Sequence, residues 1–170
     1  EPTAAGSSEL HHRFLQEARA AAAVRSAHVV QVFDYGYEGG IPYIVMELLE
    51  GESLERRLAR RTTVDPGELD KIFGEVARGI SRAHATGVVH RDLKPGNIFI
   101  AKEGPHEVTK LIDFGIAKID PAMLEFTLKV GTKAGTVIGT PQYMSPEQLR
   151  GVGVDHRVDL WALGIVAFEC

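Results

Sequence analysis

The sequence predicts an α+β fold, because helical and extended patterns occupy separate stretches of the chain. Helix-forming residues dominate residues 10–24, and a stronger helical pattern runs from residue 66 to about residue 87. Two stretches rich in β-branched and aromatic residues, 29–35 and 42–48, lie between them. The Gly39-Gly40 pair separates these two stretches and favours a hairpin.

Composition excludes several classes of protein. The 170 residues are 44% hydrophobic and 25% charged, with 18 Gly and 8 Pro, which is typical of a globular protein and not of collagen, a disordered tail or a disulfide scaffold. A net charge of −4 disfavours a general nucleic-acid binder. No apolar run approaches the roughly 18 residues of a membrane-spanning helix, the start lacks a signal-peptide pattern, and Cys170 has no disulfide partner. We therefore expect a cytoplasmic chain with no membrane segment within these residues and no nucleic-acid partner, and a membrane anchor of a longer parent protein stays open.

The strongest helix has clear start and stop residues. Asp65 is a suitable N-cap, Pro66 suits the first helical position, and Glu68 completes a capping-box-like start. Gly87 is placed to end the helix. The buried stripe is expected to comprise Leu69, Ile72, Phe73, Val76, Ile80 and Ala83.

The remaining segments are shorter. Residues 1–10 are small and polar and are expected to form a loop or frayed end. After a break at Gly51, Ser53 is expected to cap a short helix ending at Arg61, whose four arginines form a solvated face. Residues 88–89, 98–101 and 108–112 are expected to pair in a small sheet, 116–145 to form a long surface segment, and 159–170 an apolar helix.

One stretch carries specific chemistry. The sequence HRDLKPGN occupies residues 90–97, and Asp113-Phe114-Gly115 begins 16 residues after Asn97. Two acidic groups, an amide and a lysine on loops beside short strands supply the metal ligands, the charge clamp and the hydroxyl-orienting group that phosphoryl transfer requires. Asp and Asn also favour turns, but both motifs in this order and at this spacing indicate a phosphoryl-transfer site.

These motifs resemble those of the eukaryotic-type protein kinase family. HRDLKPGN and the segment GTPQYMSPE, residues 139–147, resemble the serine/threonine branch, and the phrases YIVMELLEG and IGTPQYMSPEQLRG resemble bacterial serine/threonine kinases. The resemblance implies a partial small lobe, with helix C and two or three strands, over residues 11–48. It also implies most of the front half of a mainly helical large lobe over residues 49–170. The catalytic loop is then 88–100, the activation segment 113–147, and the truncated central helix 159–170.

The resemblance implies roles for individual residues in ATP-dependent transfer to protein serine or threonine hydroxyls. Asp92 is expected to accept or orient the hydroxyl proton, and Lys94 to touch the transferred phosphate. Asn97 and Asp113 are expected to hold Mg²⁺ ions that bridge the ATP phosphates. Thr140 is expected to hydrogen-bond near Asp92 and Lys94.

A second set of residues is implied to bind the nucleotide. Glu17 resembles the glutamate that pairs with an ATP-positioning lysine, and Met46 the residue at the back of the adenine pocket. Residues 47–51, including Glu47 and Leu49, resemble the hinge that bonds adenine, and Phe99 is expected under the adenine ring. Asp159 is expected to anchor the catalytic-loop backbone, whereas His90 is expected to be a packed core residue without a catalytic role.

Arg91 suggests regulation by phosphorylation. In the family such an arginine meets a phosphorylated threonine, and a phosphate on the activation segment forms charge-assisted bonds that order it. Thr132 and Thr136 are the candidates for autophosphorylation, with Thr127 behind them.

Two expected features do not occur in the sequence. The glycine-rich loop and strand lysine of the family should precede Glu17, yet the first lysine is Lys71. We therefore interpret the chain as a fragment of a kinase and expect the isolated 170 residues to have little activity. An alternative is a non-catalytic, pseudokinase-like interaction module, and a small-molecule kinase is disfavoured by the HRDLKPGN motif and the long loop ending in Ser-Pro-Glu.

Overall fold

The computed structural model describes residues 4–61, 64–114 and 141–170. The helices in this part of the chain are α1 (Ala4–Ala23), α2 (Leu54–Arg61), α3 (Pro66–Ala85), α4 (Pro146–Arg150) and α5 (Arg157–Glu169). The strands are β1 (Val32–Glu38), β2 (Ile41–Met46), β3 (Gly51–Ser53), β4 (Ile98–Glu103) and β5 (His106–Leu111), and short 3₁₀ turns span Pro95–Asn97 and Pro141–Tyr143.

Helix α1 is longer than the sequence predicted. The interpretation of residues 4–10 as a loop is wrong, because α1 already begins at Ala4. Once residues 10–23 are helical, each added residue gains a hydrogen bond without a new nucleation cost, and no proline interrupts the run. The helix packs through small residues, since Ala18 and Ala21 are buried.

Strands β1 and β2 form the predicted antiparallel hairpin. Glu38 pairs with Ile41 across the turn, and Gly39 and Gly40 both have positive φ angles, of 58° and 84°. Such angles give a turn whose twist matches that of the strands. Strand β1 begins three residues later than predicted because the backbone of residues 28–30 hydrogen-bonds to Leu111 of β5 instead.

Strands β3, β4 and β5 form a second antiparallel sheet in that order. The sequence predicted β4 and β5 but missed β3, where Gly51 was expected only to break the chain. Gly51 has a φ of 144°, and a Cβ atom there would lie 2.1 Å from the carbonyl oxygen of Ile100. Its lack of a side chain therefore allows β3 to approach β4. Residues 88–89 were wrongly predicted as extended and paired, because Val88 closes the end of α3 by donating to the Ala83 carbonyl.

Helix α3 follows its sequence prediction closely. The Asp65 carboxylate accepts hydrogen bonds from the backbone of Gly67 and Glu68, and Gly87 follows the helix with a φ of 78°. Of the predicted stripe, Ile72, Val76, Ile80 and Ala83 are buried and Leu69 and Phe73 pack against them.

The prediction that all four arginines of helix α2 lie on a solvated face is wrong for one of them. Ser53 caps the helix as predicted, with its Oγ 3.3 Å from the Arg56 backbone nitrogen. Arg57, however, is only 5% exposed and not on a solvated face. Its guanidinium binds Glu52, Glu68 and Glu107, so the Glu68 carboxylate pairs with an arginine of α2.

The hydrophobic core surrounds the loop of residues 90–97. Leu93 of this loop is 1% exposed and packs in one cluster with residues of α3, β4, β5 and α5. Helix α5 begins two residues before its predicted start. The predicted surface segment 116–145 lies outside the described residues up to residue 140. Among the residues that are described, no helix is both long and apolar enough to cross a membrane.

Candidate active site

The loop that carries HRDLKPGN is anchored to the core by its first residue, His90. His90 is 1% exposed, and its Nε2 lies 3.0 Å from the carbonyl oxygen of Ile112. Its ring packs 4.6 Å from the ring of Phe114. Burial lowers the pKa of His90, even though the carboxylates of Asp159 and Asp92 act in the opposite direction. The prediction of a packed core histidine is confirmed.

Asp159, at the start of α5, holds the backbone of the same loop. Its carboxylate is 1% exposed and accepts hydrogen bonds from the backbone nitrogens of His90 at 2.9 Å and Arg91 at 2.8 Å. His84 of α3 completes the arrangement, with Nε2 2.7 Å from Asp159 Oδ2. No local sequence pattern around His84 indicated this contact.

Asp92, Lys94 and Asn97 lie together in the loop. Lys94 Nζ is 3.3 Å from Asp92 Oδ2. Asn97 Nδ2 donates to the same oxygen at 3.1 Å and to the Asp92 backbone carbonyl at 2.8 Å. Asn97 is 5% exposed and is held in turn by its own backbone bond to Lys94. One carboxylate is thus oriented by an ammonium and an amide while staying partly open to solvent.

Asp113 is brought beside this group by strand pairing. The backbone nitrogen of Ile112 donates to the Asn97 carbonyl at 3.0 Å, so Asp113 follows directly after that contact. Asp113 is exposed and has a φ of 53°. Non-glycine residues rarely adopt this conformation, and they do so most often in turns and at functional sites.

The donor set fits Mg²⁺. Asn97 Nδ2 donates two hydrogen bonds to Asp92, one to its backbone carbonyl and one to its carboxylate. The side-chain oxygen Oδ1 of Asn97 can therefore serve as a metal ligand. Asp113 follows the residue whose backbone donates to the Asn97 carbonyl, so the Asn97 oxygen and the exposed Asp113 carboxylate are hard oxygen donors on neighbouring segments. Proteins generally bind Mg²⁺ through one or two such oxygen ligands together with substrate phosphates.

The predicted hinge is tied to β5 by an ion pair. Lys110 Nζ lies 3.0 and 3.1 Å from the two carboxylate oxygens of Glu47. Glu47 also accepts the Gln31 backbone N–H at 2.8 Å. Lys110 is 8% exposed, and no local pattern indicates this pair because its members are 63 residues apart.

The other predicted nucleotide residues lie on the strands beside this pair or on the segment that joins them. Phe99 of β4 pairs with Lys110 on one side and with Ser53 on the other. Met46 is the last residue of β2, and Leu49 lies in the segment that connects β2 to β3. The predicted hinge therefore runs from the end of β2 to the start of β3, and Phe99 lies in β4, the middle strand of the three-stranded sheet.

Glu17 lies on α1 and is partly buried. Burial raises the pKa of Glu17, while the positive charges of Arg91 and Arg13 lower it. The predicted pairing with a lysine before Glu17 has no counterpart in this sequence. Instead, Glu17 interacts electrostatically with the arginine next to Asp92.

Helix α4 also contacts the loop of residues 90–97. Ser145 and Gln148 form a capping box at its start, and Gln148 Nε2 donates to the Arg91 carbonyl at 2.9 Å. The Ser-Pro-Glu-Gln sequence contains the capping-box pattern, but the long-range contact could not be read from it. Thr140 and the candidate phosphorylation sites Thr127, Thr132 and Thr136 lie outside the described residues.

The arrangement can orient a hydroxyl group, neutralise an anion and bind a divalent cation within one loop system. A family model described as "Protein kinase domain" matches residues 3–170. The chain therefore belongs to the protein kinase family.

Curated relatives of this chain include several bacterial serine/threonine kinases. The chain is 41% identical over 162 residues to serine/threonine-protein kinase Pkn1 of Myxococcus xanthus, covering 95% of this chain and 22% of that protein. It is 40% identical over 159 residues to pkn3 of the same organism, covering 92% of this chain and 29% of that protein. For PknL of Mycobacterium tuberculosis the identity is 37%, over 97% of this chain and 39% of that protein.

Solved structures agree with this assignment. The PknI kinase domain of Mycobacterium tuberculosis, a C20A mutant, matches with a TM-score of 0.75 and 30% identity, covering 99% of this chain and 60% of that chain. The expected fold is confirmed: the chain has a partial protein-kinase-like fold of the α+β class, and the curated relatives named above are bacterial serine/threonine kinases. The chain spans well under half the length of the curated relatives it matches.

Proposed function

We propose that the protein to which these residues belong transfers the γ-phosphoryl group of ATP to serine and threonine hydroxyls of a protein substrate. The observation that carries this proposal is the cluster of Asp92, Lys94 and Asn97, in which two donors orient one partly exposed carboxylate. Asp113 stands beside the cluster through the pairing of Ile112 with Asn97. The family and the named kinase relatives support the same reaction.

Each residue of the site has a separate role in this proposal. Asp92 accepts or orients the proton of the attacking hydroxyl, because its carboxylate is the acceptor of the cluster. Lys94, 3.3 Å from that carboxylate, stabilises negative charge on the phosphoryl group, and Thr140 assists by hydrogen bonding. Asn97 and Asp113 hold Mg²⁺, which when bound supplies positive charge against the ATP phosphates.

The nucleotide lies between the β1–β2 hairpin and the three-stranded sheet in this proposal. Glu47 and Leu49 belong to the hinge, Met46 closes the back of the adenine pocket, and Phe99 lies under the ring. Glu17 belongs to the residues that position ATP. The proposed division places the small lobe at residues 11–48 and the large lobe at residues 49–170.

The isolated 170 residues are proposed to be nearly inactive. They contain neither a glycine-rich loop nor a lysine before Lys71, and both groups position the phosphates in this family. The alternative proposal is a non-catalytic interaction module. It is less well supported because Asp92, Asn97 and Asp113 are all present and Asp92 and Asn97 are in contact.

Phosphorylation of the activation segment is proposed to regulate the enzyme. We also propose that the enzyme acts in the cytoplasm, where ATP is available. Arg91 Nε is buried and has no hydrogen-bond partner among the described residues. A phosphate on Thr132 or Thr136, or on Thr127 behind them, supplies an anionic acceptor for such a guanidinium. Phosphosite mapping of the active protein that found all three threonines unmodified would remove this part of the proposal.

The reaction is tested with the full-length protein, radiolabelled ATP, Mg²⁺ and a generic protein substrate. Label is expected on serine and threonine but not on tyrosine. Asp92→Asn and Asp113→Ala are expected to lower the rate by at least about 100-fold, since one removes a proton acceptor and the other a metal ligand. Asp70→Asn, the same change at an exposed position of α3, is the control and should leave the rate unchanged.

The outcomes separate the two candidate functions. Transfer that depends on Asp92 and Asp113 supports the kinase. A folded full-length protein that transfers no phosphate under any of these conditions contradicts it and favours the interaction module.

A further inference from the structure

We propose that Gln148 is a positioning residue that fixes the peptide group carrying the catalytic aspartate, and that it thereby links the end of the activation segment to Asp92. The inference rests on the proposed phosphoryl-transfer function and extends it to a residue outside the HRDLKPGN and DFG motifs. Gln148 is the third residue of α4 and lies 57 residues from its partner in the catalytic loop.

The side-chain amide of Gln148 makes two different hydrogen bonds. Its Oε1 accepts the backbone N–H of Ser145 at 3.1 Å, and its Nε2 donates to the carbonyl of Arg91 at 2.9 Å. The partners determine the orientation of the amide, because a flip would set donor against donor and acceptor against acceptor. Glutamine is one of the two residue types that complete a capping box, but only glutamine can also donate to a carbonyl.

The position of the Arg91 carbonyl affects the orientation of the Asp92 side chain. This carbonyl belongs to the planar peptide that joins Arg91 to Asp92, and the N–H of that same peptide points to His90 Nδ1 at 3.3 Å. Gln148 and His90 therefore hold opposite edges of one peptide plane. Rotation of this plane reorients the Cα–Cβ bond of Asp92 directly.

The backbone conformation of Arg91 also requires stabilising contacts. Its φ is 63°, a left-handed conformation that costs a non-glycine residue free energy and persists only when the surroundings impose it. Asp159 holds the peptide before Arg91, through the Arg91 N–H at 2.8 Å, and Gln148 holds the peptide after it. Asp159 is on α5 and Gln148 on α4, so two separate helices maintain the conformation.

The contact predicts a specific kinetic effect. Loss of the bond to Arg91 leaves the ATP-binding residues of the sheets in place but loosens Asp92, and misplacement of a catalytic group by about 1 Å can cost on the order of 100-fold in rate. The expected signature is a lower kcat with an unchanged KM for ATP. A residue that served only to cap α4 would affect stability and not kcat.

Gln148→Glu separates the two roles in the full-length protein. The glutamate oxygen can still accept the Ser145 N–H and keep the capping box, but it cannot donate to Arg91. We expect kcat to fall about tenfold or more, KM for ATP to stay within about twofold, and the melting temperature to change little. Gln148→Ala is expected to lower kcat similarly and to lower the melting temperature as well, by a few degrees. Gln16→Glu, the same change at an exposed position of α1, is the control and should match the wild type.

Amide hydrogen exchange supplies a readout that does not need activity. Faster exchange in residues 90–93 of Gln148→Glu, with unchanged exchange in the helix Arg157–Glu169, is the expected result. If Gln148→Glu keeps both the kcat and the exchange of the wild type, Gln148 has no positioning role and the proposal is overturned. If the wild type itself transfers no phosphate, the proposed function fails, and the exchange comparison still decides whether Gln148 fixes the loop.

Discussion

At the scale of single residues, strained backbone coincides with the proposed chemistry. Arg91 and Asp113 are the non-glycine residues with positive φ among those described. One precedes the proposed proton acceptor and the other is a proposed metal ligand. Buried polar groups maintain the first of these conformations, since Asp159 accepts the Arg91 N–H. Local strain is thus stabilised by tertiary contacts.

Lys110 provides a residue-scale prediction about ATP affinity. Its ammonium contacts both oxygens of Glu47 at 3.0 and 3.1 Å and fixes the start of the proposed hinge. Lys110→Met leaves Glu47 without this partner, and the loss of a charged hydrogen bond is expected to raise KM for ATP about tenfold in the full-length protein, with a smaller change in kcat. Steady-state kinetics at varied ATP concentration measure the effect.

The control for this prediction lies on the neighbouring strand β4. Lys102 is exposed, so Lys102→Met removes a positive charge without disturbing the hinge and should leave KM unchanged. Equal effects of the two variants would show that net charge, and not the Glu47 contact, governs ATP affinity.

At the scale of elements, a buried arginine joins α2 to three other parts of the fold. Arg57 of α2 binds Glu52 of β3, Glu68 of α3 and Glu107 of β5. The bond from Arg57 is the main cause that lowers the pKa of Glu107 below its ordinary 4.5. The cluster positions α2 and the strand that follows the hinge.

Arg57→Ala is expected to destabilise the protein by about 2–3 kcal/mol, because it leaves three carboxylates without this partner. This value lies at and below the lower end of the range for breaking a buried ion pair, about 3–5 kcal/mol, since Glu107 is 43% exposed. Urea unfolding followed by circular dichroism measures the change. Arg56→Ala, at an exposed position of the same helix, should cost no more than about 0.5 kcal/mol.

The pH dependence of this loss has a definite sign. A carboxyl group whose pKa is lowered by folding stabilises the native state above its ordinary pKa of 4.5, and that contribution disappears as the pH falls through the lower folded value. The stability difference between wild type and Arg57→Ala should therefore be largest near neutral pH and shrink below about pH 4. A difference that stayed constant into acid would show that lost packing, and not charge pairing, is responsible.

At the scale of the whole molecule, the sheets and helices leave large apolar side chains exposed. Phe33, Ile41 and Val45 of the β1–β2 hairpin are 66%, 71% and 46% exposed, and Phe168 of α5 is 92% exposed. The chain covers 60% of a solved kinase domain, and we expect further segments of the full protein to cover these surfaces. The proposed catalytic cluster, by contrast, is already held by contacts within the described residues.

The isolated 170-residue chain is accordingly expected to show little or no phosphorylation of a generic substrate, because the groups that position the ATP phosphates are missing from it. The measurement compares this chain with its own Asp113→Ala variant at equal concentration. Robust Mg²⁺-dependent transfer that Asp113→Ala abolished would contradict the expectation and show that the glycine-rich loop and its lysine are dispensable.

The sequence by itself determined the local features of this protein. The cap at Asp65, the stripe on α3, the Gly39-Gly40 hairpin and the motif residues depend on neighbours within a few positions, and short-range spacing records such preferences directly. It also identified the family, because HRDLKPGN and DFG occur in order at a specific separation.

Only the tertiary structure decided how distant residues meet. The contacts of Gln148 with Arg91, of Lys110 with Glu47 and of His84 with Asp159 join residues 57 to 75 positions apart. Arg57 was expected in solvent because its helix is rich in arginine, but three glutamates from other elements make its burial favourable. The free energy of such pairs depends on which groups the folded chain brings together, and local sequence patterns do not contain that information.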